Sequence, residues 1–595
     1  MAVNRYDKDE ELREGVNFSY FAMMKKYVSP YAGKLVLCVL SMLLVSVLGL
    51  LPPYLIGIAL DKCLPEKNYT LLFILGGVLI GANIITALYL RYRSIFANKM
   101  GMDIIKDIRH DLFEHLQKLP FSFFDSRPHG KILVRVVNYI NSIAGLLSGG
   151  FLDMIANVFT LFGIIGFMLA LDVKFTLICL AGLPIFLVVL LVVRKYHRRA
   201  WQNYSTKQSN MNAYIQESIS GMKITQSFAR EEKNAEIFDG LCGETKSYWM
   251  KSTAIGQLTP RFTAILSTVV LAIVYYVGAR AIGANTMTVG VVVAFASYIS
   301  QFWNPIIGLT TIYNDIVNCG AYLERIFEMM EEPVVIEDYP DAYEMKDVKG
   351  DISFKNVTFA YEKGAPNVLE NVSFDVRAGE SIALVGPTGA GKSTVINLLS
   401  RFYDIQDGQI TVDGRDIKFA TKKSLRSQMG IMLQDSVLFT GTIADNIRYG
   451  RLDATDEEII EAAKTVCAHD FIMEFPDGYN TQVTEGGASL SVGQKQLIAF
   501  ARTLIADPKI LILDEATSSI DTETEKVLQR GLEKLLEGRT SFIIAHRLST
   551  IKNSSRIMYI ADRGVAEAGT HDELIERDGR YAELYRAQYK FLEQM

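Results

Sequence analysis

An α-helical membrane domain of six spans, followed by a cytoplasmic α/β domain with a helical subdomain, is the fold class this sequence predicts. Two observations carry the prediction. The first half of the chain holds six long runs without a charged residue, and the second half alternates short apolar strands with helical stretches. One of those strands, Ser381–Val385, then runs straight into Gly386-Pro-Thr-Gly-Ala-Gly-Lys-Ser-Thr394 and on into a helical run over 395–402.

Bulk composition sets the frame. A chain of 595 residues is too long for a single hydrophobic core, so it must divide. The net charge of −5 offers no basic surface for nucleic acid, and no nucleic-acid partner is expected. The six cysteines (38, 63, 179, 242, 319, 467) have no Cys-x-x-Cys spacing, which argues against a zinc site or a disulfide framework and for isolated thiols. The expected divisions are a cytoplasmic N-terminal segment (1–34), the membrane domain (35–325), a linker (326–350) and the cytoplasmic α/β domain (351–595).

The N-terminal segment is polar and partly acidic, unlike a secretory signal or an Arg-rich transit peptide, so the run after Lys34 reads as a retained span. Crossing the hydrocarbon core takes about 20 apolar residues in a helix. Residues 35–60, 71–90, 154–171, 175–193, 262–279 and 281–314 are uncharged and supply six such candidates. Lys and Arg crowd the N-terminal tail and the segments after spans 2 and 4, while the alternate loops near 61–69, 172–174 and 280–286 hold few. The positive-inside rule then places both termini in the cytoplasm. Residues 95–118 and 195–220 have helical patterning with few breakers, so the spans should extend well beyond the lipid. They meet irregular, aromatic-bearing patches at 121–130 and 218–228, which are read either as docking surfaces or as hairpin closures. Polar groups within or beside the spans are Asp153, Asp315, Gln301, Trp303 and Asn304. An ionisable group in a membrane is a functional candidate by default, but both aspartates lie near span ends, where solvation or capping is the plainer expectation. Gln301, Trp303 and Asn304 are kept as candidate cargo contacts.

In the cytoplasmic half, Ile352–Tyr361 alternates as a strand does. The loop Gly386, Pro387, Thr388, Gly389, Ala390, Gly391, Lys392, Ser393, Thr394 fits G-x-x-x-x-G-K-[ST], between a strand and a helix. Its glycines let backbone N–H groups converge on phosphate oxygens and the helix N-terminus adds positive potential. Lys392 is placed to reach the β- and γ-phosphates and the Ser393 hydroxyl to ligate Mg2+. The strand Lys509–Asp514 delivers Asp514 for the magnesium shell and Glu515 to polarise a water as general base. A third strand from Thr540 ends in His546 at the same sheet edge, placed for a γ-phosphate contact. These parts make the second half a P-loop ATPase.

Together these residues resemble an ATP-binding cassette (ABC) transporter, over almost the whole chain: a half-transporter of the exporter type. The family's signature, usually Leu-Ser-Gly-Gly-Gln, is matched by Leu490-Ser-Val-Gly-Gln494. By resemblance Tyr361 is the aromatic on which adenine stacks, Gln434 the glutamine that senses Mg2+, Asp521 the aspartate of the D-loop and His546 the switch histidine. Residues 485–487 match the segment that touches the coupling helices, which are similar in position to 121–130 and 218–228. Ser491, Gly493 and Gln494, with Asp521, would contact nucleotide held by the partner subunit. The resemblance implies ATP and Mg2+ as cofactors, and a multi-pass protein of a bacterial plasma membrane. It also implies a small-molecule, lipid or peptide substrate moved out of the cytoplasm.

Two positions depart from the family: Val492 replaces the first glycine of the signature and Leu497 replaces the usual Arg of Gln-Lys-Gln-Arg. With the phosphate loop and Glu515 intact, this points to a heterodimer of unequal sites, in which this chain brings the catalytic glutamate and a blunted signature. The alternatives are a homodimeric lipid flippase and an ATP-gated membrane regulator without transport. Fusion of spans and cassette in one chain disfavours an importer, and the short N-terminal segment disfavours a peptide-processing exporter.

Overall fold

The computed structural model describes residues 19–589 except 363, 433–436, 488, 515–521 and 545–550. The chain divides into two compact units. Among the described residues, one takes in Gln117–His129 and the chain from Glu332 onward; the other comprises Ser19 to Leu116 together with Gly130–Glu331.

The membrane unit contains six helices apolar and long enough to span: Ser19–Cys63, Tyr69–Lys118, His129–Leu171, Val173–Ser220, Glu231–Gly283 and Val289–Met330. We refer to these as spans 1 to 6. Lipid offers no hydrogen bonds to the backbone, so an uncharged stretch crosses it only with every N–H and C=O paired internally, as a helix does. Span 2 runs for 50 residues, about 75 Å at 1.5 Å per residue, more than twice what lipid demands. The predicted extensions beyond the membrane are thus continuous helix. Span 6 also continues to Met330, past the boundary at 325.

A buried hydrogen bond joins spans 1 and 6: Tyr298 is fully buried and donates to the Leu50 carbonyl at 2.7 Å. At one end the Asp61 carboxylate accepts from Gly290 N at 2.7 Å and from Thr288 Oγ1 at 2.6 Å, satisfying orphan donors where span 6 starts. Asp153 is neither a cap nor simply solvated. Its carboxylate pairs with Arg93 at 2.7 Å, joining span 3 to span 2. The cysteines are all free thiols, four of them buried.

The other unit is built on two sheets. Strands β1 (Ile352–Phe359), β2 (Leu369–Val376), β4 (Asp407–Val412) and β5 (Arg415–Asp416) form an antiparallel sheet of order β2-β1-β4-β5. Strands β3 (Ser381–Val385), β6 (Met429–Met432), β9 (Ile510–Asp514), β10 (Thr540–Ile544), β11 (Arg556–Ala561) and β12 (Gly564–Gly569) form the second, ordered β12-β11-β3-β10-β9-β6. Its inner pairings are parallel. The two-residue strands β7 (Gly441–Thr442) and β8 (Gln482–Val483) form a separate antiparallel pair. Parallel strands buried on both faces read as continuous apolar runs, and β3 shows why. Ile382 and Leu384 face the core between the two sheets, and Ala383 and Val385 face the core shared with the helical subdomain.

The segment expected to be a linker is partly folded onto this unit. Ile336, Met345 and Val348 are buried, and Tyr343 donates to the Asp416 carbonyl at 2.8 Å. Its apolar residues, spaced between acidic ones, find a place at the edge of the antiparallel sheet, so little of it acts as a free tether.

Candidate nucleotide-binding site

Three strand ends build the site. Ile544 is in register with Leu384 of β3 on one side and with Asp514 of β9 on the other, so the carboxyl edges of β3, β10 and β9 lie level. The loop after β3 begins at Gly386, with φ 143°, and closes at Gly391, with φ 107°. Both values lie in the region that favours glycine. A Cβ at Gly386 would also collide with the Ile560 carbonyl, so that residue is fixed by space as well as by torsion. Pro387, Thr388 and Gly389 are exposed; Ala390 is half-buried. From Lys392 the chain enters helix α1 (Lys392–Leu399), whose first turn contains Ser393, exposed, and Thr394, buried.

Lys392 folds over its own loop. Its Nζ donates to the carbonyls of Gly386 at 2.8 Å and Pro387 at 2.9 Å. Burial lowers the affinity of this ammonium for its proton, and Asp514 acts in the opposite sense. Lysine and carboxylate therefore serve one electrostatic site at the sheet edge. Ser393 and Asp514 offer hard oxygen donors of the kind Mg2+ takes, and two protein ligands with phosphate oxygens completing the shell is its usual arrangement. Among the described residues no cluster of three or more His, Cys, Asp or Glu forms a cage for a metal.

The aromatic platform lies beside the loop. Tyr361 is 42 % exposed, and its hydroxyl shares a hydrogen bond with Thr394 Oγ1 at 2.9 Å. Its ring stands edge-on to Tyr403, with centroids 5.0 Å apart and planes at 89°. The Tyr403 hydroxyl in turn donates to Asp125 Oδ2 at 2.8 Å, and Phe402 stacks on Phe121 at 5.1 Å. Burial and then Asp125 push the Tyr403 phenol well above its ordinary value, so it remains a donor. The patch at 121–130 is thus a docking surface in its first half, where Phe121–Asp125 forms a short helix. Sequence reading missed Tyr403 and Asp125 as a pair. The signal was two aromatics just beyond α1 and a predicted docking patch elsewhere, with nothing to join them. In the patch at 218–228, Ile219, Ile224 and Phe228 are exposed.

The signature residues open helix α2 (Val492–Ile505). Ser491 is its N-cap, its side chain accepting from Gln494 N while Ser491 N donates to Gln494 Oε1 at 2.9 Å, a reciprocal capping box. Val492 occupies the first helical position and is 53 % exposed. Gly493 is buried so closely against helix α3 (Thr522–Leu536) that a Cβ there would collide with Thr524. Leu497 is 3 % exposed within the apolar core of the helical subdomain. That departure from the family is therefore a packing choice, and Val492 alone alters the exposed surface. Gln434, Glu515, Asp521 and His546 lie outside the described residues. Of the candidate cargo contacts, Trp303 is buried between Phe186 and Phe302, Gln301 is half-buried and Asn304 is exposed.

Comparison with known proteins agrees with this geometry. Residues 35–306 match the family model described as "ABC transporter transmembrane region", and residues 369–518 the one described as "ABC transporter". The chain is 40 % identical over 586 residues to the uncharacterized ABC transporter ATP-binding protein YknV of Bacillus subtilis (strain 168), covering 98 % of this chain and 97 % of that one. It is 34 % identical over 561 residues to an ATP-dependent lipid A-core flippase of Desulfotalea psychrophila, covering 94 % and 98 %. Among solved structures it is similar to a bacterial Atm1-family ABC exporter with ATP bound, at a TM-score of 0.76 and 29 % identity over 95 % of this chain and 99 % of that one.

Proposed function

The chain belongs to the ABC transporter family as an exporter-type half-transporter coupling ATP hydrolysis to transport, and from this premise we propose that it moves a hydrophobic or amphipathic substrate out of the cytoplasm, paired with an unlike second half-transporter. The observation that carries the pairing is Val492: an exposed branched side chain at the start of a well-capped signature helix, in a chain whose own phosphate loop is fully formed. A blunted clamp beside intact catalytic parts fits unequal sites.

In the cycle, the loop 386–391 and the α1 N-terminus hold phosphates through backbone N–H groups, and Lys392 leaves its two carbonyls to neutralise their charge. Mg2+, when bound by Ser393 and Asp514, supplies charge neutralisation on the phosphate oxygens. Tyr361 gives up its Thr394 bond to receive adenine. Glu515 polarises the attacking water and His546 holds the γ-phosphate end. Closing two cassettes around ATP shifts the spans toward an outward-open state and hydrolysis reverses it, a population shift. Both termini face the cytoplasm by the distribution of Lys and Arg.

A homodimeric lipid flippase is the second reading, favoured by the intact capping box of Ser491 and Gln494, the core position of Leu497 and the lipid named for one relative. Purification of the chain expressed alone separates the two. ATP-driven transport by a pure homodimer refutes the heterodimer; activity regained only with a second half-transporter supports it.

A further inference from the structure

The borders of three spans meet at one cavity. Arg194 is the first charge after the run 175–193, Arg261 the last before 262–279 and Asp315 the first after 281–314. These levels lie around a cavity of about 390 Å3 within the membrane unit, lined by Arg194, His197 and Asp315 at its charged end and by Phe186, Leu190 and Ile307 at its apolar end. Its size falls in the range of small-molecule sites, enough for a head group and the top of a chain but not a whole lipid.

Two walls change polarity in the same direction. Phe186, Leu190, Arg194 and His197 lie three or four residues apart on one face of span 4, from apolar to cationic over about 16 Å. Span 6 runs from Ile307 through threonines to Asp315. The third wall is a break in span 5 at Gln257, between Glu231–Gly256 and Leu258–Gly283. Pro260, also at the cavity, has no N–H to donate to the Gly256 carbonyl, so the helix cannot close there. Gly256 leaves room for the imidazole, since a Cβ on it would lie 2.9 Å from His197 Nε2. Arg194 stacks its guanidinium face on Tyr313 at 4.6 Å, which fixes the group while leaving its N–H edge for a ligand.

We propose that this cavity binds the head and upper chain of an amphiphile carrying both an anionic group and an ammonium, with the anion against Arg194 and His197 and the ammonium against Asp315. Both signs of charge at one end and an apolar channel at the other match such a molecule and no simple ion. The binding site stands by itself; the claim that its occupant is cargo rests on the exporter reading above.

The test uses the full chain, with its partner half-transporter where one is required, in uncharged maltoside micelles. Native mass spectrometry follows binding of three probes with equal twelve-carbon tails: a lysophosphatidylethanolamine, dodecyl phosphate and dodecylamine. The two-charge probe is expected to bind about tenfold more tightly than either other, the scale of one charge-assisted contact. Arg194→Ala should weaken both phosphate probes about tenfold and spare dodecylamine, Arg194→Lys should restore much of the loss, and Asp315→Asn should weaken only the two ammonium probes. Equal losses for all three probes in both variants, or no preference in the native protein, overturn the proposal. Crossed selectivity without ATP-driven movement of the lysolipid in vesicles sinks the cargo claim and leaves the site. Transport with no selectivity overturns the site and leaves the exporter reading standing.

Discussion

Removing one hydroxyl should separate nucleotide binding from transport. Tyr403→Phe keeps the ring that stands 5.0 Å from Tyr361 and deletes the donor to Asp125. A hydrogen bond to a charged group contributes about 1.5–3 kcal/mol, and the loss falls somewhat below that range because Asp125 is exposed and water replaces the lost donor. At roughly 1 kcal/mol the docked state of Phe121–Asp125 loses about fivefold in population. The neighbouring Phe121–Phe402 stack, worth about 0.5–1.5 kcal/mol, keeps the contact from vanishing. Substrate moved per ATP hydrolysed in proteoliposomes should thus fall severalfold, while the KM for ATP stays within about twofold. Asp125→Asn should do the same, and the double variant should be no worse than either single one. A raised KM with unchanged transport per ATP, or additive losses in the double variant, refutes the argument.

Other perturbations probe separate parts of the account. Gly493→Ala drives a methyl into Thr524 and should cost about 1–3 kcal/mol, read as a lower Tm and lost ATPase activity, with partial recovery in Gly493→Ala/Thr524→Ser. Val492→Gly should raise ATP hydrolysis by the purified chain severalfold; an unchanged rate would show that valine does not hinder the clamp. Arg93→Ala leaves Asp153 without its partner and should lower thermal stability in micelles more than Arg93→Ala/Asp153→Ala does.

What could be seen without coordinates follows from the range of each interaction. Spans, the phosphate loop and the strand carrying Asp514 are local patterns, set by an uncharged window, glycine spacing or an apolar run, and all were legible. Partners far apart in the chain were not. Asp153 looked like a cap or a solvated group because Arg93 lies 60 positions away, and nothing singled out Tyr403 because Asp125 lies 278 away. Leu497 is the instructive case in the signature. A departure from a family pattern looked like functional loss, whereas burial at 3 % exposure shows a side chain packed in the core. The register of acidic and apolar residues in 331–351 gave no hint that Met345 and Val348 would find cover on the cassette, since a period of neither helix nor strand accompanies them.

Reconstitution into vesicles, with a second half-transporter supplied if one is required, tests the central claim most directly. Fluorescent amphiphile accumulated inside inverted vesicles should depend on Mg-ATP and disappear with Glu515→Gln, which should still retain bound ATP. Accumulation that persists in that variant, or hydrolysis in the native protein that moves nothing, contradicts ATP-driven export.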